Sequence, residues 1–425
     1  MRATKHSGVD WLGDVPETWG TTPLRTLMKL RTERNTAYQS ANYLSLMANI
    51  GVIPYAEKGD IGNKAPEDLG KCKIVYEGDF VLNSMNFGIG SFGVSAYNGI
   101  CSSVYVVMQP RLDKVSPPFL RYIFTMQPFQ KHVQSLGNGI LEHRAAIGWD
   151  ELKNIGFPMP PKEEQQAIAD FLDRETAKID KLIAKQEQLI TTLGERRKAV
   201  IWRGVTQSVG AVKLGVGDRL DWKLIVPNSW RVKPLWMVTG FSTGWTPPSG
   251  NDAFYSDEYP WVNISDLGPR ELRTTVKGLS SFATNSIRLK KTLRGQLMFS
   301  FKLSIGQVSF AGLDCYTNEA IASFHSSEQL RLDYAFYMLP ICVPENAGEN
   351  IYGAKMLNAQ RIKTARIILP PLEEQESVAS FLNGATTKID SLIARARKAN
   401  AFLVERRQSL ISAAVTGKIN LRKGL

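Results

Sequence analysis

Few residue groups in this chain could carry chemistry. Gly88-Ile-Gly90-Ser-Phe-Gly93 has the GxGxxG spacing of a dinucleotide-binding turn. That use needs a strand before the glycines, a helix after them and a carboxylate about 20 residues on. Residues 79–82 read as the strand, but Val94-Ser-Ala-Tyr-Asn-Gly99 reads as strand and turn. A glycine-rich hairpin that lets a loop approach a ligand is the better reading. His6, His132, His143 and His325 never fall at metal-ligand spacing, and no HExxH occurs. There is no Gly-x4-Gly-Lys-Ser/Thr run to cradle a nucleotide triphosphate. There is also no Asn/Asp-Pro-Pro-Tyr/Phe run of the kind that holds an adenine for methyl transfer. Glu67-Asp68 with Lys71 could be forced into a nuclease pattern, but in a chain with 22% charged residues such combinations belong to a solvated surface. Cys72, Cys101, Cys315 and Cys342 lack CxxC spacing, which argues against a zinc site or a disulfide framework and suits a reducing compartment.

What remains is recognition chemistry. Asn83, Ser84, Asn86 and Phe87 follow one strand-like run, and Ser300, Lys302 and Ser304 occupy the matching place later in the chain. A second pair of polar loops carries Asn138, His143 and Arg144, and then Asn350 and Lys355. Asn pairs with an adenine edge, Lys or Arg with guanine, and aromatic rings pack on a thymine methyl. Arg270, Arg273, Lys277, Arg288, Lys290, Lys291 and Arg294 suit phosphates, which position without specifying. A formal net charge of +12 and a pI near 9.4 favour a polyanionic partner.

The elements that must position these loops are written twice. Residues 160–206 shifted by 210 land on 370–416 without a gap, with 22 of 47 positions identical. A repeat of this quality governs the fold. Each copy predicts one long amphipathic helix, with apolar residues at Ile168, Phe171, Leu172, Ile179, Leu182 and Ile183 and onward at the same spacing. Pro-Pro followed by Glu-Glu suits the first turn; Arg196-Arg197-Lys198 and then Gly204 suit the exit. About 44 residues make a rod of roughly 65 Å, whose apolar stripe needs a partner. The other copy is the obvious one, as a two-helix coiled coil.

The duplication extends to the whole chain. Trp11…Val15-Pro16-Glu-Thr-Trp19 returns as Trp222…Val226-Pro227-Asn-Ser-Trp230. We therefore expect a lead-in and first globular domain over 1–157, a helix over 158–206, a linker and second lead-in over 207–232, a second globular domain over 233–367, and a helix with a tail over 368–425. The predicted class is mixed α+β. Of the short β-like runs at 43–46, 73–76, 79–82 and 103–108, the first returns in the second domain as 261–264 and the third within 295–300, and between such anchors the two domains differ almost entirely. No apolar run is long enough to span a bilayer and no signal peptide opens the chain, so a cytoplasmic location is expected.

Taken together, these features resemble the specificity subunit of type I restriction–modification systems. The resemblance covers nearly the whole chain. It rests on Pro-Pro-x-Glu-Glu-Gln at 160–165 and 370–375, Ile-Asp at 179–180 and 389–390, Glu-Arg-Arg at 195–197 and 405–407, and the two Val-Pro-x-x-Trp segments. It implies two α/β target-recognition domains separated by two long helices packed as an antiparallel coiled coil, with pseudo-two-fold symmetry. Each domain would read half of a gapped, bipartite double-stranded DNA site. The subunit would be non-catalytic and bind no cofactor or metal. S-adenosylmethionine, ATP and Mg would be bound by the partners: methyltransferase subunits, two in number, that methylate adenine N6, and restriction subunits. Docking and spacing would fall to Glu164, Gln165, Phe171, Ile179, Asp180, Arg196 and Arg197 and to Glu374, Gln375, Phe381, Ile389, Asp390, Arg406 and Arg407. One departure is Asn86-Phe-Gly-Ile-Gly-Ser91, where the family often has a charged residue before glycine; it leaves open which loop residue reads bases there. A self-contained nucleic-acid enzyme would need the motifs that are missing. A DNA-binding regulator or scaffold without a restriction role would use the same rods and loops.

Overall fold

The computed structural model describes residues 2–60, 64–137, 147–207, 226–248, 250–286, 289–349 and 353–421. The chain divides into two compact units, Met1–Glu187 with Arg397–Leu425, and Gln188–Ala396. Each unit contains one globular domain and a portion of both long helices.

The first unit is built on an antiparallel sheet in the order Met28–Leu30, Tyr105–Pro110, Phe80–Asn83, Phe92–Val94. All four residues of Phe80–Asn83 are buried. The reason is alternation with cover on both faces. Phe80 and Leu82 face an aromatic core with helices Pro117–Thr125 and Gln127–Leu136; Val81 and Val107 face a second cluster with Leu44, Leu46 and Val75.

The second unit repeats the plan in the order Phe241–Thr243, Ile321–Phe324, Leu297–Ser300, Val308–Ala311, with Glu271–Leu272 added in parallel at the edge. Leu297 and Phe299 face the core that holds helix Leu332–Cys342, and Met298 faces the smaller cluster. Both central strands are entered through a left-handed glycine, Gly78 at φ 86° and Gly295 at φ 87°.

The long helices are Lys162–Gln207 and Leu372–Val415, the first about 69 Å long at 1.5 Å per residue. In each unit a strand of the lead-in pairs with the strand just before Pro-Pro: Gly20–Pro23 with Gly156–Met159, and Arg231–Pro234 with Arg366–Leu369. The glutamate and glutamine that follow are locked inside the unit. Glu164 accepts the Trp19 indole N–H at 3.1 Å and Glu374 accepts that of Trp230 at 2.7 Å. Gln165 accepts from the Ser116 amide at 2.9 Å and donates to the Lys114 and Pro160 carbonyls. Gln375 does the same with the Arg331 amide and the Gln329 and Pro370 carbonyls. This corrects the expectation that Glu164, Gln165 and Gln375 dock partner subunits, since their side chains are buried and bonded within the chain; Glu374 makes the equivalent tryptophan contact but stays partly exposed.

Further along, Ile179 and Ile389 are buried, Phe171 is partly buried, Phe381 is half-exposed, and Arg196 and Arg406 are exposed. Asp180 pairs with Arg407 within the first unit, at 2.8 Å to Nε. Asp390 pairs with Arg197 within the second, also at 2.8 Å. These pairs are about one-third to half exposed, so each is worth well under 1 kcal/mol. A tyrosine on a short helix also bonds to the long helix in each unit. The Tyr122 hydroxyl donates to Asp173 at 2.5 Å beside Thr176, and that of Tyr337 donates to Asn383 at 2.7 Å beside Thr386.

Gly204 does not end its helix, as its position after the basic cluster suggested. The helix runs through to Gln207. A Cβ placed on Gly204 would lie 2.9 Å from Leu382 Cδ2, so the glycine serves close packing within the second unit. The second long helix does end at a glycine. Gly417 sits at φ 73°, its amide bonds to Ala414 O and that of Lys418 to Ala413 O, a left-handed stop that satisfies the last carbonyls. Gly194 and Gly384 lie mid-helix with nothing within 4 Å of an added Cβ. Gly194→Ala and Gly384→Ala are therefore each expected to stabilise the protein by about 1 kcal/mol, read as a rise in the denaturation midpoint. Among the described residues, no helix is long and apolar enough to cross a membrane.

Candidate nucleic-acid interface

After each central strand the chain forms a hydrogen-bonded hairpin loop with exposed outer residues. In the first unit it joins Phe80–Asn83 to Phe92–Val94. Asn83 is buried at its base and its side chain accepts the Met85 amide at 3.1 Å. Phe87 is 1% exposed, packed on Phe92, Phe124 and Phe129. Ser84 donates to Val104 O at 3.0 Å. Of the residues expected to read bases here, Asn86 is exposed, Ser84 is partly so, and Asn83 and Phe87 hold the loop from inside. The Phe87 ring belongs to the core because the aromatic cluster beneath the sheet needs it, and it offers no face to a base.

The GxGxxG glycines are explained by packing within the chain. A Cβ on Gly88 would collide with the Gln134 amide group, and one on Gly93 would lie 2.9 Å from Gly51 Cα. Gly90 is left-handed at φ 84° and its carbonyl accepts from Asn49 N, tying this loop to the neighbouring turn. At Gly93 the close approach that glycine permits is to the protein's own backbone, and at Gly88 it is to the end of the Gln134 side chain.

In the second unit the loop joins Leu297–Ser300 to Val308–Ala311. Ser300 is fully buried and organises it. The Ser300 amide donates to Gln307 O, its carbonyl accepts from Gly306 N, and its hydroxyl accepts from Gln307 N and donates to Ser304 O. Ser300 is thus an anchor, correcting its assignment as a base reader. Lys302 and Ser304 are exposed on the outer arc. Between them stands Leu303, 92% exposed and left-handed at φ 59°. Lys355 is exposed and pairs with Glu345 at 3.7 Å. Asn138, His143, Arg144 and Asn350, and Arg288 of the phosphate set, lie outside the described residues.

Several of the basic residues in the second unit are held in place. The Arg270 guanidinium lies 4.6 Å above the Phe336 ring and 5.5 Å above Phe310, and donates to the Tyr337 hydroxyl at 3.2 Å. With Arg294 it lines a depression of about 460 Å³, a pre-oriented cation suited to a phosphate. Arg273 pairs with Glu271 at 2.9 Å, which holds that carboxyl below its usual range, and Lys291 pairs with Asp314 at 3.5 Å. A larger cleft of about 1050 Å³ opens in the first unit beside Arg121 and Arg407. Both arginines are already paired there, with Asp173 and Asp180, so the cleft offers little net positive charge to a phosphate.

Among the described residues, three buried cysteines are poor nucleophiles. Burial pushes the Cys101, Cys315 and Cys342 thiols up to about 12, leaving them protonated at neutral pH. Sequence reasoning missed the exposed aliphatic residues Met85, Ile89 and Leu303 at the loop tips. It also missed the tyrosine–threonine contacts, for which the identity of Thr176 and Thr386 across the repeat was the available signal.

Residues 16–192 and 227–399 each match the model of the type I restriction modification DNA specificity domain. A putative type I restriction enzyme MjaX specificity subunit of Methanocaldococcus jannaschii is 22% identical, over 97% of this chain and 96% of its own. The type I restriction enzyme EcoKI specificity subunit of Escherichia coli is also 22% identical, over 96% and 90%. The fold is shared with a chain solved in work on complex assembly and conformational transition of the type I R-M system, with a TM-score of 0.73 at 16% identity over 95% and 99% of the two chains. It is shared more loosely with the HsdS subunit from Thermoanaerobacter tengcongensis, at 0.51 and 18% over 95% and 98%.

Proposed function

The chain belongs to the type I restriction–modification DNA specificity family, and we propose that each unit reads one half of a bipartite, gapped double-stranded DNA target. The observation that carries this reading is the pair of hairpin loops. They leave the same strand of the same sheet plan, each anchored by a buried polar residue, Asn83 or Ser300, yet present different outer residues. A common frame with two dissimilar reading edges suits two dissimilar half-sites.

In this reading the two long helices pack as an antiparallel coiled coil with pseudo-two-fold symmetry and set the gap. The ion pairs support it: adding 210 to Asp180 and subtracting 210 from Arg407 turns the first pair into Asp390 and Arg197, the second. The helices also serve as docking platforms for two methyltransferase subunits and for restriction subunits. Leu182 and Leu392, identical across the repeat, stay half-exposed in both copies. Packing within a unit gives no reason to keep them, whereas equivalent docking of two identical partners does. The chain itself is non-catalytic. S-adenosylmethionine, ATP and Mg sit on the partners, methylation falls on adenine N6, and the complex works in the cytoplasm.

Co-expression with its methyltransferase subunit, followed by single-molecule sequencing for N6-methyladenine, tests the reading. A gapped two-part motif that appears only with this chain is the expected result. An active methyltransferase that leaves no such motif would overturn it. Within that assay, Lys302→Ala is expected to relax the sequence preference at one position of one half-site, by about tenfold for a base contact of 1–3 kcal/mol. Uniform weakening across all duplexes would reassign Lys302 to phosphate contact.

A further inference from the structure

We propose that Leu303 is a specificity-determining residue whose side chain packs on the C5-methyl group of a thymine in the major groove. The inference rests on the reading above, that the second unit binds one half-site. Three observations lead to it.

First, Leu303 combines 92% exposure with a left-handed backbone at φ 59°. A non-glycine residue rarely adopts that conformation, and a leucine gains nothing from solvent there. Asn or Gly would hold the same turn without strain. Second, the turn is tied down at its base. The four hydrogen bonds around Ser300 fix the loop from its base, and Ser300 ends a strand buried on both faces. A side chain carried on such a base is presented to a partner with little ordering left to do. Third, the equivalent loop of the first unit also exposes aliphatic side chains, Met85 at 51% and Ile89 at 61%. Two hairpins with unrelated loop sequences thus share an apolar tip.

The neighbours identify the occupant as DNA. Leu303 stands between exposed Lys302 and Ser304, a cation and a hydroxyl that suit phosphate and base-edge oxygens. An aliphatic side chain has no donor or acceptor to offer. In the major groove the one apolar group it can recognise is the thymine methyl.

The test uses the assembled complex with its methyltransferase and duplexes carrying the motif found by sequencing. Each thymine is replaced in turn by deoxyuridine, which removes only the methyl group. For the wild type, one thymine in one half-site is expected to matter, with binding falling about fourfold, the worth of one methyl-sized apolar contact. Leu303→Ala is expected to bind the thymine duplex about as weakly and to be indifferent to deoxyuridine at that position, the non-additivity of a direct pair. Leu303→Gly keeps the turn and relieves its backbone, so its melting temperature should not fall while its binding does; this separates contact from folding. Additive losses, a uniform loss over all duplexes as from a wedge between base steps, or wild-type affinity in Leu303→Ala each overturn the assignment. A wild-type motif with no deoxyuridine-sensitive thymine overturns this inference alone, and absence of any motif overturns the two-half-site reading with it.

Discussion

Trp19→Ala is expected to destabilise the first unit by about 4 kcal/mol, within the 3–5 kcal/mol range for removing a fully buried large aromatic side chain. Trp19 is 1% exposed and meets three other stretches of that unit. Its indole N–H donates to Glu164 at the start of the long helix, and its ring lies 5.6 Å from the Arg2 guanidinium, which itself pairs with Glu164 at 2.5 Å. The far end of the other long helix arrives at the same place: a Cβ on Gly417 would lie 3.0 Å from Trp19 Cη2. Truncation leaves a cavity and strips the buried Glu164 carboxylate of one donor. Trp19→Phe keeps most of the volume and loses only that donor, so about 1–2 kcal/mol is expected. Urea denaturation followed by circular dichroism would read both. Equal losses for the two variants would mean that the hydrogen bond, and not the packing, sets the value. No loss in Trp19→Ala would remove the clamp as an explanation for the repeated Val-Pro-x-x-Trp and Glu-Glu-Gln segments.

Shortening both long helices by four residues, within 184–193 and 394–403, is expected to shorten the recognised gap or abolish specific methylation. Four residues remove about 6 Å of helix, close to two base-pair steps at 3.4 Å each. They also turn the helix by roughly 40° beyond a full turn, so docking faces and reading loops shift phase. On the original target the expected outcome is a loss of at least about 100-fold in methylation, with any surviving activity found on a motif whose gap is shorter by one or two base pairs. Sequencing the methylome of cells carrying the variant distinguishes these. An unchanged gap at unchanged efficiency would show that the helices do not set the spacing.

The tryptophan clamp and the helix length act on different levels of the same repeat. The clamp is local, made within one unit, and its loss is read as stability. The helix length acts on the DNA target, and its change is read as specificity. A variant that is stable but has lost its motif, beside one that is unstable but retains the motif at low temperature, would separate scaffold from reader.

Much of the frame was legible from residue order alone. The duplication, the two long helices and the central strands at 80–83 and 297–300 follow from periodicity and from a 210-residue shift, because helix and strand periods are local properties. The identity of retained residues, by contrast, says that a constraint exists without saying what supplies it. Gln165 and Gln375 read as docking residues in the sequence, whereas in the structure each bonds an amide, 49 and 44 positions away respectively. The glycines at 88, 90 and 93 suggested approach to a ligand, yet two of them face Gln134 and Gly51. Phe87 and Ser300 have the right chemistry to touch DNA but were drawn inward, one by an aromatic core and the other by the hydrogen bonds of its own turn. Leu303 has the wrong chemistry for a solvated loop and was left outside. Composition and periodicity decide which segments are helix, strand or turn, since those depend on neighbours a few residues apart. Which side chain of a turn faces inward depends on what lies opposite it, and only the packing of segments far apart in the chain decides that.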